Sequence, residues 1–341
     1  MNVLVLHTQV PFVRGGAEVL VEGLIEALRE RGHTADVVAL PLAWNPPDGL
    51  LTTALAWSLL DLKRFNDRTV DRVICTKFPT WVVEHERKSL WLIHQHRQAY
   101  DLHGTSLSEF SPDPVSRETR ERVIDIDTLG ISGCWPRFGI SQNVCDRLRR
   151  YNGVDAAPLY PPVPRYGLRA EAYEPFILSV ARLDDAKRIE PAIQAMRFVH
   201  NLRLEVVGDG PNRRRLEELA RAQGVADRVT FRGRVSDDDL RDLYNSCRSV
   251  YYAPIDEDYG FTTIEALTAS KPVVTAPDSG GVLEFVSHEE SGLVTNLDRD
   301  SLAAAFNRFT DESFARCLGS SGPDRISSLT WDVVVDSLLA G

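Results

Sequence analysis

Glu257 and Glu265 stand eight positions apart in the run Pro254-Ile255-Asp256-Glu257-Asp258-Tyr259-Gly260-Phe261-Thr262-Thr263-Ile264-Glu265-Ala266-Leu267, with a glycine turn between them. If residues 262–269 are helical, Gly260, Phe261 and Thr262 offer unpaired amides at the helix start. Glu257 then sits in the preceding loop and Glu265 about one turn in, so that one carboxylate can take hydrogen bonds from sugar hydroxyls and the other from ribose. The same spacing also suits an acidic loop followed by a glutamate favoured by the helix macrodipole, and spacing alone leaves both readings open.

Arg182 and Lys187 lie just beyond the apolar run 176–180, where two cations can neutralise a leaving diphosphate without a metal ion. Two solvated loop cations are the plainer reading. Gly15 and Gly16 separate the first apolar run from the first helical pattern, and bare backbone there lets amides approach a phosphate. An ordinary tight turn fits equally well. The pattern is neither G-x-G-x-x-G nor a P-loop, so no nicotinamide or Walker fingerprint is present. His94 and His96 follow the apolar run 90–93 and are the candidate histidines of the first half. His7, at the end of the first strand, is a weaker one.

What must position these residues is an alternation of strands and helices from end to end, hence an α/β protein with parallel sheets. At 341 residues the chain has room for two such domains. The first half predicts strands at 3–6, 35–40, 72–75, 90–94 and 137–140, a helix over 17–30 stopped by Gly32, and an ambiguous apolar stretch at 44–60. The proline-rich Tyr160-Pro161-Pro162-Val163-Pro164 cannot feed a sheet and reads as a hinge. Beyond it come strands at 176–180, 203–207, 229–231, 249–252 and 272–275. Helices at 190–196, 212–223, 237–246, 262–269 and 331–339 accompany them. This gives a first Rossmann-like domain over 1–160, a linker over 161–174, a second domain over 175–327, and a closing helix in 328–341 returning to the first. Two doubly wound domains facing a central cleft would bind ligands at the carboxyl ends of their strands.

Composition excludes other classes. A formal net charge of −10 disfavours nucleic acid as a partner. Five cysteines without a C-x-x-C pair argue against a disulfide framework or a zinc site. No apolar run approaches a bilayer span, and the first residues read as a strand, not a signal peptide, so a cytoplasmic location is expected.

The run from Glu257 to Glu265 resembles the E-x7-E motif of retaining glycosyltransferases of family GT4. Arg182 and Lys187 match its R-x4-K, Gly208-Asp209-Gly210-Pro211 its G-x-G-P turn, and Val229-Thr230-Phe231-Arg232-Gly233 its V-x-F-x-G strand. Lys271-Pro272-Val273-Val274, Ser279-Gly280-Gly281-Val282-Leu283-Glu284, Gly15-Gly16-Ala17-Glu18 and Thr330-Trp331 follow in the family's order.

The resemblance implies a GT-B fold and sugar transfer, with retained configuration, from a nucleotide-diphosphate-sugar to a saccharide, lipid-linked glycan or small-molecule acceptor. It implies that Arg182, Lys187 and Gly16 hold the pyrophosphate, Glu265 the ribose, and Glu257 the transferred sugar. The amides of Gly260, Phe261 and Thr262 would support the diphosphate, and His94 would lie near the donor sugar. The donor is then a co-substrate, and neither a metal nor another cofactor is expected. Asp258, Tyr259 and Ala181 depart from the family's glycine, phenylalanine and glycine. The alternatives are a weak sugar-nucleotide or glycan binder and a sugar-nucleotide epimerase. Polar loops over 97–135 are expected to shape the acceptor pocket, with 97–101 and 103–115 mobile. A lipid-linked acceptor would add peripheral contact with the inner membrane face.

Overall fold

The computed structural model describes residues 1–12, 14–105, 107–163 and 167–340. The chain divides into two compact units, one of 1–164 with 329–341 and one of 165–328.

The first unit contains β1 (Asn2–Gln9), α1 (Gly16–Glu30), β2 (Thr34–Pro41), α2 (Gly49–Ser58), a hairpin of β3 (Arg64–Phe65) and β4 (Arg68–Thr69), β5 (Arg72–Lys77) and β6 (Lys88–His94). There follow α3 (Pro114–Ser132), β7 (Arg137–Gly139), α4 (Gln142–Asn152) and β8 (Ala157–Pro158). The second holds β9 (Phe176–Val180), α5 (Ile189–Ala195), β10 (Arg203–Val207), α6 (Arg213–Ala222), β11 (Val229–Gly233), α7 (Asp237–Ser246) and β12 (Ser249–Tyr251). It continues with α8 (Phe261–Thr268), β13 (Val273–Thr275), β14 (Gly292–Val294), α9 (Arg299–Arg308), α10 (Glu312–Gly319) and α11 (Gly322–Ile326). The last helix, α12 (Trp331–Leu339), belongs to the first unit.

Each unit is built on a six-stranded sheet, in the order β2-β1-β5-β6-β7-β8 and β11-β10-β9-β12-β13-β14. Every pairing within them is parallel. All six residues of β5 are buried, with apolar Val73, Ile74 and Cys75 at its centre and Arg72, Thr76 and Lys77 at its ends. In both sheets the strand order reverses beside the first strand, between β1 and β5 and between β9 and β12. A doubly wound sheet opens a crevice for ligands beyond the carboxyl ends of such a pair.

The expected strands and the helices at 237–246 and 331–339 are present with shifts of a few residues at most. Of the stretch 44–60, Gly49–Ser58 is helical. The linker's residues 164–166 lie outside the described residues. Its second part packs on the second unit, where Tyr173 is buried and its hydroxyl donates to Ser270 O at 2.6 Å. Helix α12 packs on α1 and the sheet. A Cβ on Gly23 would come within 2.5 Å of Trp331, so only glycine admits that indole. Arg72 Nη1 donates to Leu338 O at 3.1 Å.

The expectation of loops over 97–135 is corrected. Asp113 caps α3 by accepting from Val115 N and Ser116 N, with Pro114 in the first turn, and the helix runs 19 residues. The segment 97–101, expected to be mobile, is fastened. Arg120 Nε donates to Ala99 O at 2.7 Å, and the buried Tyr100 hydroxyl donates to Asp127 Oδ2 at 2.6 Å. Asp127 also accepts from Trp81 Nε1 at 3.1 Å. The proline and polar residues at 113–118 masked the helix, because a helix start has the composition of a loop.

Burial pushes the Asp127 carboxyl up to about 7, although Tyr100 and Trp81 both donate to it. The folded chain therefore keeps a proton that the unfolded chain, with an ordinary value of 3.8, has released. Stability from this group is highest in acid, falls as pH rises from about 4 to 7, and then levels off. Asp127→Asn is expected to flatten that slope in urea titrations at pH 4.5, 6 and 7.5. An unchanged slope would count against the buried protonated carboxyl.

Candidate functional site

At the reversal point of the second sheet, β9 ends in the loop carrying Arg182 and Lys187, and β12 ends in the loop carrying Glu257. Lys187 closes a short 3-10 turn, Asp185–Lys187. Its ammonium contacts Glu257 Oε2 and lies 3.3 Å from the hydroxyl of Tyr252, which donates to the same carboxylate oxygen at 2.9 Å. Residues 70 positions apart thus meet at one point.

The backbone explains why. Arg188 follows in a left-handed conformation and reaches across to Ala253 O (2.7 Å), Pro254 O (2.6 Å) and the Asp278 carboxylate, tying the two loops together. Glu257 N donates to Ser279 O at 3.3 Å and Gly281 N to Glu257 O at 2.8 Å, so the serine–glycine segment sets the height of Glu257. Arg188 was missed in the sequence because arginine beside a lysine reads as another solvated cation.

Gly260 caps α8 with φ of 88°, a left-handed conformation that glycine adopts without strain. Among the described residues, its amide and those of Phe261 and Thr262 have no protein acceptor, whereas Thr263 N donates to Gly260 O at 2.9 Å. Thr262 Oγ1 donates to Val180 O at 3.0 Å, fixing this helix start at the end of β9. Glu265 is buried one turn into α8. Tyr259 fills an aromatic cluster, 5.2 Å from Phe261 and 5.5 Å from Phe285 between ring centres, which accounts for the aromatic there. Arg182 stands apart. Its side chain is 67% exposed and its nearest ionic neighbour is Asp184, at 3.7 Å.

The first unit's reversal point carries a second cluster. Glu18 reaches back from α1 to take Gly15 N at 2.7 Å, and it accepts from Lys77 Nζ at 3.3 Å with His7 Nε2 also at 3.3 Å. All three side chains are nearly buried. The amide of Gly15, expected to approach a phosphate, is bonded here to the Glu18 carboxylate. Gly16 is the first residue of α1. Burial holds the His7 imidazole and the Lys77 ammonium below their ordinary values. For Glu18, burial works upward, but the contacts with His7, Lys77 and Gly15 N prevail and hold its carboxyl well below the usual range. Glu18 and Lys77 were missed as site residues. The capping signature at Gly15-Gly16-Ala17-Glu18 could have flagged the first, and a lysine closing an apolar strand the second.

His94 ends β6 opposite Lys77 of β5, half-buried, with Nδ1 2.9 Å from Gln95 O. His96 is buried against Phe78 and Phe110, and burial together with the neighbouring His94 lowers it to about 4. It is therefore a neutral core imidazole. All five cysteines are free, four of them buried and Cys317 exposed. Among the described residues no group of three or more His, Cys, Asp or Glu is placed to hold a metal ion. No described helix is long and apolar enough to cross a membrane.

Two parallel six-stranded Rossmann-like units define the GT-B class of α/β proteins. Residues 167–318 match the family model of glycosyl transferases group 1. The chain is 34% identical over 165 residues to an uncharacterized glycosyltransferase of Methanocaldococcus jannaschii, covering 47% of this chain and 42% of that protein. It is 31% identical over 249 residues, covering 66% and 64%, to the GDP-mannose-dependent alpha-(1-6)-phosphatidylinositol monomannoside mannosyltransferase of Mycobacterium tuberculosis. The chain thus spans less than two thirds of these curated relatives. The sucrose-phosphate synthase of Thermosynechococcus elongatus shares the fold, with a TM-score of 0.76 at 21% identity over 98% of this chain and 97% of that one. Residues 167–318 are thus similar to the group 1 glycosyl transferases, and the chain shares its fold with a sucrose-phosphate synthase.

Proposed function

We propose that the protein is a retaining glycosyltransferase that moves a sugar from a nucleotide-diphosphate-sugar to a hydroxyl of a saccharide, lipid-linked glycan or small-molecule acceptor. The observation that carries the reading is the meeting of Lys187 and Glu257 beside the open amides of α8 at the reversal point of the second sheet. A cation, a helix N-terminus and a carboxylate are what a sugar diphosphate needs: two binders of phosphate charge and one acceptor of sugar hydroxyls.

In this reading Lys187, Arg182 and the amides of Gly260, Phe261 and Thr262 receive the diphosphate. Arg182 is exposed and free to turn toward the ligand. Glu265 binds the ribose and Glu257 the transferred sugar. The leaving phosphate takes the acceptor proton as the new bond forms on the same face. Charge on the leaving group is stabilised by the preorganised cation and amides, without a metal ion. The mannosyltransferase relative makes GDP-mannose the first donor to test and a lipid-bound acceptor the first acceptor class, which would bring a cytoplasmic chain to a membrane surface.

The test is a thermal-shift panel of UDP, GDP, ADP, TDP and their sugars, with and without chelator. A ligand that binds only the folded state must raise the melting temperature. One nucleotide class is expected to shift it, equally with chelator and less in Lys187→Ala. A flat panel would remove the donor site, and a shift abolished by chelator would remove the metal-free mechanism.

A further inference from the structure

Tyr252 lies one residue beyond β12 and is 6% exposed, yet it carries a hydroxyl among the groups assigned above to the donor. The hydroxyl makes a directional chain. It accepts from Lys187 Nζ at 3.3 Å and donates its one proton to Glu257 Oε2 at 2.9 Å. The ring works as well. Its centre is 5.6 Å from Lys187 Nζ, and its Cε1 lies 3.1 Å from where a Cβ on Gly260 would stand. One side chain therefore touches the cation, the carboxylate and the glycine that begins α8.

We propose that Tyr252 is the positioning residue of Glu257, holding that carboxylate toward the transferred sugar when Lys187 turns from it to the diphosphate. The inference rests on the transferase reading. Lys187 cannot give its full charge to Glu257 and to an incoming phosphate at once. A glutamate that loses a cation gains rotamer freedom and must be ordered again before it can take sugar hydroxyls. The hydrogen bond from Tyr252 survives that exchange because it does not involve the ammonium. Burial, with the carboxylates of Glu257, Glu265 and Asp184 around the ring, pushes the phenol well above its usual value, so the proton stays on the donor. The sequence gives little hint of this, since a tyrosine ending an apolar strand reads as core.

Tyr252→Phe keeps the ring against Gly260 and Lys187 and removes only the hydroxyl. A hydrogen bond to a charged group that matters in the reacting complex corresponds to about 10- to 100-fold in rate. The expected result is a kcat lower by that factor, with donor KM, nucleoside diphosphate Kd and melting temperature nearly unchanged. In a double-mutant cycle, Tyr252→Phe is expected to add little to the loss already caused by Glu257→Gln, since both act through one carboxylate. A kcat within about twofold of wild type, a loss seen equally in nucleoside diphosphate Kd, or full additivity with Glu257→Gln would each overturn the inference while leaving the transferase reading in place. Absence of both nucleotide binding and turnover in the wild type would instead overturn the transferase reading, and this inference with it.

Discussion

Lys187→Ala is expected to lower kcat/KM for the nucleotide sugar by about 100- to 1,000-fold, the range seen when one preorganised group facing a developing anion is removed. The surroundings explain the size. Lys187 is only 22% exposed in its side chain and is flanked by Glu257, with Glu265 and Asp184 also near the Tyr252 ring. Without the ammonium, a diphosphate would meet carboxylates, and the other assigned cation, Arg182, is largely in solvent. Lys187→Arg is expected to recover little, because a planar guanidinium does not replace a compact ammonium held beneath a phenol ring. The check is nucleoside diphosphate release under kcat/KM conditions, with melting temperatures compared. A loss of less than about threefold would remove Lys187 from the diphosphate site.

Glu18→Ala is expected to be the most destabilising of the site substitutions, at about 3–5 kcal/mol, because it leaves the buried Lys77 ammonium without its carboxylate. It also releases Gly15 N at the start of α1. The pH dependence follows from the lowered carboxyl. Glu18 contributes its full stability above its ordinary value of 4.5, and that contribution is lost as pH falls toward the lower folded value. The variant should therefore show a shallower acid decline than wild type in urea titrations between pH 3 and 6. Glu18→Ala combined with Lys77→Met should recover much of the loss, since no charge is then stranded. Additive losses in the double variant, or a single-variant cost below about 1 kcal/mol, would show that the pair is not a coupled buried ion pair.

The fold was legible where residue patterns are local. Strand patterns such as 176–180 and 203–207, bounded by turn residues, became β9 and β10, and Gly32 adopts the left-handed conformation expected where it stops α1. What stayed hidden depends on distant pairing. Nothing in the spacing of Tyr252, Arg188 or Lys77 states which strand ends will be neighbours, and that is decided by the reversal of strand order in each sheet. The partner of the Gly15 amide was hidden for the same reason. The freedom of glycine is visible in sequence, whereas the carboxylate already bonded to that amide belongs to a cluster completed by β5. Helix α3 was missed because its polar first turn resembles a loop and its buried face is narrow, with Thr119, Val123, Asp127 and Ile131 facing inward.

The groups gathered around Lys187 and Glu257 are expected to turn over a nucleotide sugar. The most direct measurement follows donor consumption and product anomeric configuration by NMR, using a donor that shifts the melting temperature and a panel of free, lipid-linked and small-molecule acceptors. Nucleoside diphosphate release matched by a new glycosidic bond with the donor's configuration retained is expected, with loss of both in Lys187→Ala. A donor that binds tightly at this site yet stays intact with every acceptor, or a product of inverted configuration, would contradict it.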